Sequence, residues 1–278
     1  MMVTSRLLFP PPELASCMAF AIVRDTRGVQ LSAKDRLNYF PASPLVAFTI
    51  VFQGQLRVSR DICDLATLRT MDVLPKISVT PPQPLPTQSW SDGPIHVLTI
   101  GFYTDAWAQL GGDIAANTLP EQLHKAASQV LEAEQIEPVW ETLCTSLGPI
   151  WAKARAANQT PHWAGSHKIA DWTRHLLVRA ALSNVGQSAR SFERRMKRWT
   201  GQSQQALKGY AQMENLLALR SKDPDIGLAS IAADAQFSDQ SHMGRAVKKV
   251  TGFPPGRLNQ LIETDEPFWC YRLLGDKL

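Results

Sequence analysis

Two short segments of the chain carry hydroxyl, amide and cationic side chains in a spacing that suits the recognition of an anionic polymer. Segment 188–201 reads SARSFERRMKRWTG, and segment 239–252 reads DQSHMGRAVKKVTG. A Gln or Arg side chain can hold a base edge through two hydrogen bonds, and Lys or Arg attracts phosphate groups. The chemistry that these residue types offer is therefore hydrogen bonding and charge attraction.

The two segments are copies of one unit. They align without gaps at an offset of 51 residues, so that Arg194 matches Arg245 and the Thr-Gly pair at 200–201 matches the pair at 251–252. A basic pair, at 197–198 in the first copy, recurs in the second. Such internal similarity predicts that the same structural element occurs twice.

Each copy has the pattern of a capped amphipathic helix. Ser188 in the first copy, and Ser238 or Asp239 in the second, can accept hydrogen bonds from the free N–H groups of a first turn. Gly201 and Gly252 suit the left-handed conformation that follows a helix. Apolar residues at i, i+4 and i+7 predict a stripe that faces a core. These apolar residues are Phe192, Met196, Trp199, Met243, Val247 and Val250.

Stretches of small residues precede both copies, at 180–185 and 228–235. Small side chains let two helices cross closely, so each copy with its preceding stretch predicts a helix-turn-helix. In that motif the first residues of the second helix reach base edges in the major groove. Two copies with matching basic faces favour this interpretation over a generic helical bundle.

At these residues the chain resembles the AraC/XylS family of bacterial transcription regulators. The strongest match is LASIAADAQFSDQSHMGRAVKKVTGFPPGRL at 228–258, and SARSFERRMKRWTGQS at 188–203 fits the outline of the family's first unit. Residues 206–219 would form the long helix between the units. Gln236 departs from the family's turn glycine, and the first unit looks abbreviated. The resemblance implies a sequence-specific regulator that inserts two recognition helices into successive major-groove segments.

The resemblance also implies which side chains contact DNA. The candidates that face the bases are Arg190, Glu193, Arg194, Gln240, Ser241, Gly244 and Arg245. The candidates for phosphate contact or a solvated face are Lys197, Arg198, Lys248 and Lys249. His242 and Asp239 are expected to pack or to cap the helix instead.

The predicted fold class is α+β with two domains. The short strands predict a small antiparallel barrel or sandwich followed by helices in residues 1–157, and the resemblance implies that this part is a cupin-like sensor or dimerisation domain. Residues 158–166 are the predicted linker, and 167–278 an all-α DNA-binding domain with two helix-turn-helix subdomains. Stretch 42–59 predicts two strands joined at a glycine turn, and 95–103 predicts another strand. The helices predicted before the linker lie near 104–110, 119–132 and 135–154.

Neither a metal centre nor a disulfide is expected, and no cofactor. His96 is the single histidine among residues 1–115, and the four cysteines are scattered without a C-x-x-C spacing. Six aromatic residues could line an apolar pocket, although a core position is favoured for them. They are Phe48, Phe52, Trp90, Phe102, Tyr103 and Trp107.

The charge distribution suggests a polyanion partner for residues 165–262, and the resemblance implies that this partner is double-stranded DNA. Residues 165–262 hold 15 Lys or Arg and 7 Asp or Glu, a net charge of +8 in a chain whose total is +4. The longest apolar run, 45–52, is too short to cross a bilayer, so a cytoplasmic protein without membrane contact is expected. RNA polymerase, a small-molecule effector and a second copy of the chain are further candidate partners.

Two other classes of protein stay open at this point. One is an enzyme with a catalytic β-barrel and an accessory helical domain, although no nucleophile elbow, metal triad or phosphate loop is found. The other is an interaction module whose basic helices bind an acidic protein.

Overall fold

Strands occupy the first part of the chain and helices the rest. The computed structural model describes residues 4–277 except 115–118, 134, 159–162, 164, 183–187, 224–229, 231–233 and 236. The strands are Thr4–Leu8 (β1), Met18–Asp25 (β2), Leu37–Phe40 (β3), Val46–Gln53 (β4), Leu56–Ser59 (β5), Ile77–Thr80 (β6), Thr87–Ser91 (β7) and His96–Phe102 (β8).

The strands form two antiparallel sheets. The larger has the order β1-β2-β8-β4-β6, and the smaller has the order β3-β7-β5. An antiparallel β unit in the N-terminal part is therefore confirmed. No ladder joins the two sheets among the described residues, so the closed, cupin-like barrel stays a prediction.

The glycine turn expected within 42–59 is present, but it connects strands of different sheets. β4 ends at Gln53 and β5 begins at Leu56, and Gly54 between them has a φ of 87°. A β-carbon on Gly54 would lie 2.4 Å from the carbonyl oxygen of Pro94, so only glycine fits this turn. β4 pairs with β6 and β8, whereas β5 pairs with β7.

The two faces of the larger sheet are both covered, which explains the almost continuous apolar sequence of β4. On one face Phe48 packs edge-on against Phe102, which in turn contacts Trp107 of the first helix after the sheet. On the other face the hydroxyls of Thr49 and Thr99 meet at 3.2 Å across the strand pair. Of the six aromatic residues considered above, Phe52 is half-buried and the others are buried in cores.

The helices include those predicted near 104–110, 119–132 and 135–154, and one short helix among the strands that was not predicted from the sequence. They are Leu65–Arg69 (α1), Thr104–Gln109 (α2), Glu121–Gln129 (α3), Ile136–Ala157 (α4), Ile169–Leu182 (α5), Ala189–Thr200 (α6), Gln204–Lys222 (α7), Gln240–Thr251 (α8), Pro255–Thr264 (α9) and Trp269–Lys277 (α10). Pro12–Leu14 and Glu266–Phe268 are short 3-10 helices. Among the described residues, no helix combines the length and apolarity that a membrane span requires.

Helix α5 joins the sheets to the helical part through one buried carboxylate. Asp105 of α2 accepts hydrogen bonds from Trp172 Nε1 at 3.0 Å and from an Arg179 guanidinium nitrogen at 3.1 Å. The Trp172 ring stacks on Tyr103 with 5.1 Å between ring centroids. Burial raises the pKa of Asp105, against the opposing effects of its two donors and of His175.

The N-terminus of α5 is capped by a side chain from α7. The two carboxylate oxygens of Glu214 accept hydrogen bonds from the backbone N–H groups of Ile169 (2.8 Å) and Ala170 (3.0 Å). A carboxylate at a helix N-terminus satisfies free donors and matches the helix dipole. Burial nevertheless raises the pKa of Glu214, because desolvation outweighs these hydrogen bonds.

Replacing Glu214 with glutamine should flatten the pH dependence of stability. A carboxyl whose pKa is raised in the folded state holds a proton that the unfolded chain releases, so stability falls as pH rises above 4.5, its ordinary pKa. Glutamine has no such titration and keeps one acceptor oxygen. Urea unfolding at a series of pH values measures the slope, with exposed Glu263→Gln as the control. An unchanged slope in E214Q would contradict the assignment.

The C-terminal segment packs back onto the sheets. Trp269 Nε1 donates to Asn38 Oδ1 at 2.7 Å, and the Arg24 guanidinium lies 4.6 Å from the centre of the Trp269 ring. Arg24 also forms an ion pair of 2.7 Å with Glu266. α10 packs against α7 as well, so the segment links the sheets to the helix that joins the two repeated units.

Candidate nucleic-acid interface

The two repeated segments are helices of identical length with matching starts. α6 and α8 have twelve residues each and begin 51 residues apart. Ser188 Oγ accepts from Ser191 N at 3.2 Å, and Asp239 Oδ1 accepts from His242 N at 2.7 Å. Asp239 is therefore the cap of the second helix. The backbone hydrogen bond from His242 is the main cause that lowers the pKa of the Asp239 carboxyl.

The helix ends match as closely as the starts. Gly201 and Gly252 both adopt left-handed conformations, with φ of 71° and 84°. Their N–H groups donate to Lys197 O at 2.7 Å and to Lys248 O at 2.8 Å. Both glycines thus do what the sequence predicts.

Even a buried hydroxyl network is repeated. Thr200 Oγ1 donates to Met196 O at 2.8 Å and accepts from Gln202 N at 3.1 Å. Thr251 Oγ1 is 2.8 Å from Val247 O and accepts from Phe253 N at 3.1 Å. The similarity of the two copies therefore reflects one folded unit that occurs twice.

The apolar stripes face the interior and leave the cationic faces in solvent. Met196, Met243, Val247 and Val250 are buried, and Phe192 and Trp199 are half-buried. The predicted contact residues that are exposed are Arg190, Arg194, Lys197, Arg198, Gln240, Ser241, Arg245, Lys248 and Lys249.

Two predicted base-facing residues and one neighbour are partly engaged within the protein. Glu193 is half-buried, and its Oε1 accepts from Gln204 N at 3.3 Å, at the start of α7. Gly244 is half-buried and has no side chain to offer. His242 contacts Ser238 Oγ through Nδ1 at 3.0 Å and packs edge-on against Phe237, as expected for a packing histidine.

α7 is the long helix expected between the two units. It begins after Ser203, whose Oγ accepts from Ala206 N at 3.2 Å, and it ends at Lys222. Several sequence predictions fall largely outside the described residues. They are the first helix of the second unit at 228–235, the turn at Gln236, the end of the stretch at 180–185, and most of the linker at 158–166.

The two recognition-helix candidates have different surroundings, which the repeat itself does not indicate. The end of α8 lies against the N-terminal part: Ala42 N donates to Val250 O at 2.7 Å, and Tyr39 packs edge-on against Phe253. An open cleft separates the basic side of α8 from two N-terminal loops. It is lined by Asp61, Ile62, Leu85, Pro86, Arg245, Lys248, Lys249, Gly252 and Phe253.

The first copy is anchored through α5 instead. The Arg179 guanidinium lies 4.4 Å from the centre of the Trp199 ring, and Arg195 donates to Ala180 O at 2.9 Å. Asp105 thus contacts α6 indirectly, through Arg179. No local pattern of the sequence marks Asp105, because its partners lie far along the chain.

The two C-terminal glycines provide a matched test of these surroundings. Gly201→Ala should cost about 1–2 kcal/mol of unfolding free energy, the penalty for a left-handed alanine. Gly252→Ala should cost about 0.5 kcal/mol more, because its β-carbon would lie 2.5 Å from Ile62 Cδ1, whereas the one at Gly201 meets no atom of the described residues within 4 Å. Urea unfolding measures both. The excess should vanish in an Ile62→Ala background, and its persistence there would contradict the contact.

Two capped amphipathic helices with exposed cationic faces, joined by one long helix, match the arrangement expected for the recognition helices of a helix-turn-helix protein. Residues 182–260 match the family model described as "Helix-turn-helix domain", which is of the AraC type. This part of the chain is an AraC-type helix-turn-helix domain, and the protein is a DNA-binding transcription regulator.

Solved structures of two proteins resemble the chain at low identity. ToxT from Vibrio cholerae is 11% identical with a TM-score of 0.39, over 87% of this chain and 97% of that chain. ToxT from Vibrio cholerae O395 bound to (E)-4-(8-methylnaphthalen-1-yl)but-3-enoic acid is 11% identical with a TM-score of 0.38, over 94% and 100%. The AraC-like transcriptional activator CuxR is 12% identical with a TM-score of 0.27, over 99% and 100%. No curated protein matches the sequence.

Proposed function

We propose that this regulator inserts α6 and α8 into successive major-groove segments of one DNA duplex. The observation that carries the proposal is the repeated unit: two twelve-residue helices with matching caps, matching left-handed glycines and exposed cations on both. Recognition helices of linked helix-turn-helix units reach one face of a duplex when they lie about one turn, roughly 34 Å, apart.

The exposed side chains divide by chemistry into two groups. Arg190, Arg194, Gln240, Ser241 and Arg245 lie on the first two turns of their helices and would read base edges. The cations further along, Lys197, Arg198, Lys248 and Lys249, would hold phosphates. Glu193 and Gly244 stay predictions as base contacts. The hydrogen bond that Glu193 accepts from Gln204 N suggests that this side chain instead positions α7 relative to α6.

Replacing Arg245 with alanine should weaken specific binding by about 1–3 kcal/mol, because an arginine that bonds a base edge through two hydrogen bonds contributes that much. The measurement is a titration with footprinting on fragments selected from a random DNA pool. Lys153→Ala, on the exposed side of α4, removes the same charge away from both helices and should leave the footprint unchanged. Equal footprints for wild type and R245A would remove Arg245 from the interface.

We further propose that residues 1–157 sense a signal or pair with a second copy of the chain, that residues 158–166 form the linker between the two domains, and that residues 167–278 bind DNA.

A cavity of about 210 Å³ between the two sheets supports the proposal that a small-molecule effector binds the N-terminal domain. Trp269, Cys270 and Leu274 form part of its wall, so an occupant would touch the segment that packs on α7. The protein would act in the cytoplasm without catalysis, and contact with RNA polymerase stays a prediction.

A further inference from the structure

The cavity between the sheets is lined almost entirely by apolar groups. Strands of both sheets face it, with alternate residues of β2 and β8 such as Phe20, Ile22 and Val97, and α10 closes it with Trp269 and Leu274. Its volume of about 210 Å³ lies below the roughly 300–1,000 Å³ of pockets for drug-sized ligands. An occupant would therefore have about one ring and a short chain.

Arg24 is the one charged residue among the described residues that line the cavity, and its charge is already compensated. Its terminal nitrogens donate to Glu266 Oε1 at 2.7 Å and to Ser5 Oγ at 2.8 Å, and its guanidinium stacks on Trp269. Nε has no partner among the described residues but exposes less than 1 Å², so a ligand would reach it only by moving the side chain. A ligand carboxylate would find no free cation here.

Several uncharged polar groups of the wall are also paired with other groups of the protein. The Thr49 and Thr99 hydroxyls meet at 3.2 Å. Asn38 accepts from Trp269 Nε1 at 2.7 Å and donates to Ser89 Oγ at 3.0 Å. A strongly polar ligand would have to break these hydrogen bonds, and buried polar groups without partners are unfavourable.

We propose that the cavity binds an uncharged, largely apolar small molecule of about one ring, and that it excludes carboxylates of the same shape. This inference rests on the effector role proposed above for the N-terminal part. It adds the chemical class of the effector. That class follows from the lack of an available cation among the described lining residues, and from the hydrogen bonds that already engage Thr49, Thr99 and Asn38.

Two probes of nearly identical shape test the class. 4-Phenylbutan-2-one carries a methyl group where 3-phenylpropanoate carries a charged oxygen at pH 7. Calorimetry on the full chain without DNA should show the ketone binding with a Kd on the order of 1 mM or tighter. The carboxylate should bind at least about tenfold more weakly, because its desolvated charge finds no partner. A carboxylate that binds as tightly as the ketone would overturn the proposal, and so would a ketone that does not bind.

Filling the cavity locates the binding. Ala47 lines it and is half-buried, so Ala47→Phe should abolish binding of the ketone, whereas Ala152→Phe, on the exposed side of α4, should retain it. If thermal unfolding shows that A47F is not folded, Thr80→Phe on the edge strand β6 is used as the cavity-filling variant instead. Ketone binding that persists in the folded filled variant would overturn the assignment. Because DNA is absent, the result is independent of the footprints that test Arg245.

Discussion

Asp105→Ala is expected to lower the free energy of unfolding by about 3–5 kcal/mol, since removal of one partner from a buried ion pair leaves the other without compensation. Asp105 and Arg179 are mostly buried, with side-chain exposures of 11% and 20%. The substitution also removes the acceptor of the Trp172 indole N–H. Two donors would then lack partners between α2 and α5.

Asp105→Asn is the matched control. Asparagine keeps the shape and an oxygen that accepts from Trp172, but it loses the charge that faces Arg179. Its destabilisation in urea unfolding should therefore be smaller than that of D105A. Burial raises the pKa of Asp105. The contribution of this carboxyl to wild-type stability therefore falls as pH rises above 3.8, its ordinary pKa. Both variants should lack this pH dependence. A loss below about 1 kcal/mol in D105A would show that the ion pair is effectively solvated.

Trp172→Ala is expected to have an effect of similar size, about 3–5 kcal/mol, as for other large aromatic residues removed from a core. The Trp172 ring is completely buried and stacks on Tyr103. It lies where α5 meets α2, so the resulting cavity would separate the sheets from the helical part.

Trp172→Phe separates the two contributions of this residue. Phenylalanine keeps most of the ring but has no N–H for Asp105, so its loss should be clearly smaller than that of W172A. The D105A and W172A losses should not add in the double variant, because the two residues share a hydrogen bond. If the two losses of unfolding free energy were additive, or if W172A caused little loss, Asp105 and Trp172 would not form a coupled cluster at this junction.

The two helices proposed to bind DNA were predictable from the sequence in considerable detail. Their last residues, 200 and 251, were predictable because a glycine directly follows each helix. Their buried stripes were predictable from the spacing of the apolar residues. The choice between Ser238 and Asp239 as the cap needed the structure, because both types accept the same bond and stand one residue apart. Glu193 was predicted as a base contact, and the structure adds its hydrogen bond to the start of α7.

The N-terminal part was less predictable. The strands at 46–53, 56–59 and 96–102 were expected from their residues, but their assignment to two sheets was not, since a turn of the Gly54 kind also joins hairpins. Nothing in the stretch around Asp105 indicates a buried ion pair, because its partner follows 74 residues later.

By itself, the sequence determined the repeated unit, the capped helices, their cationic faces and hence the class of this regulator. These features depend on caps, turns and periodic side chains within a few residues of one another, where the local chain decides. Only the tertiary structure decided the partners of β4 and β5, the junction at Asp105, the different surroundings of α6 and α8, and the largely apolar cavity. Those features arise from contacts such as Asn38 with Trp269, 231 residues apart, and packing of the whole chain selects them from many alternatives.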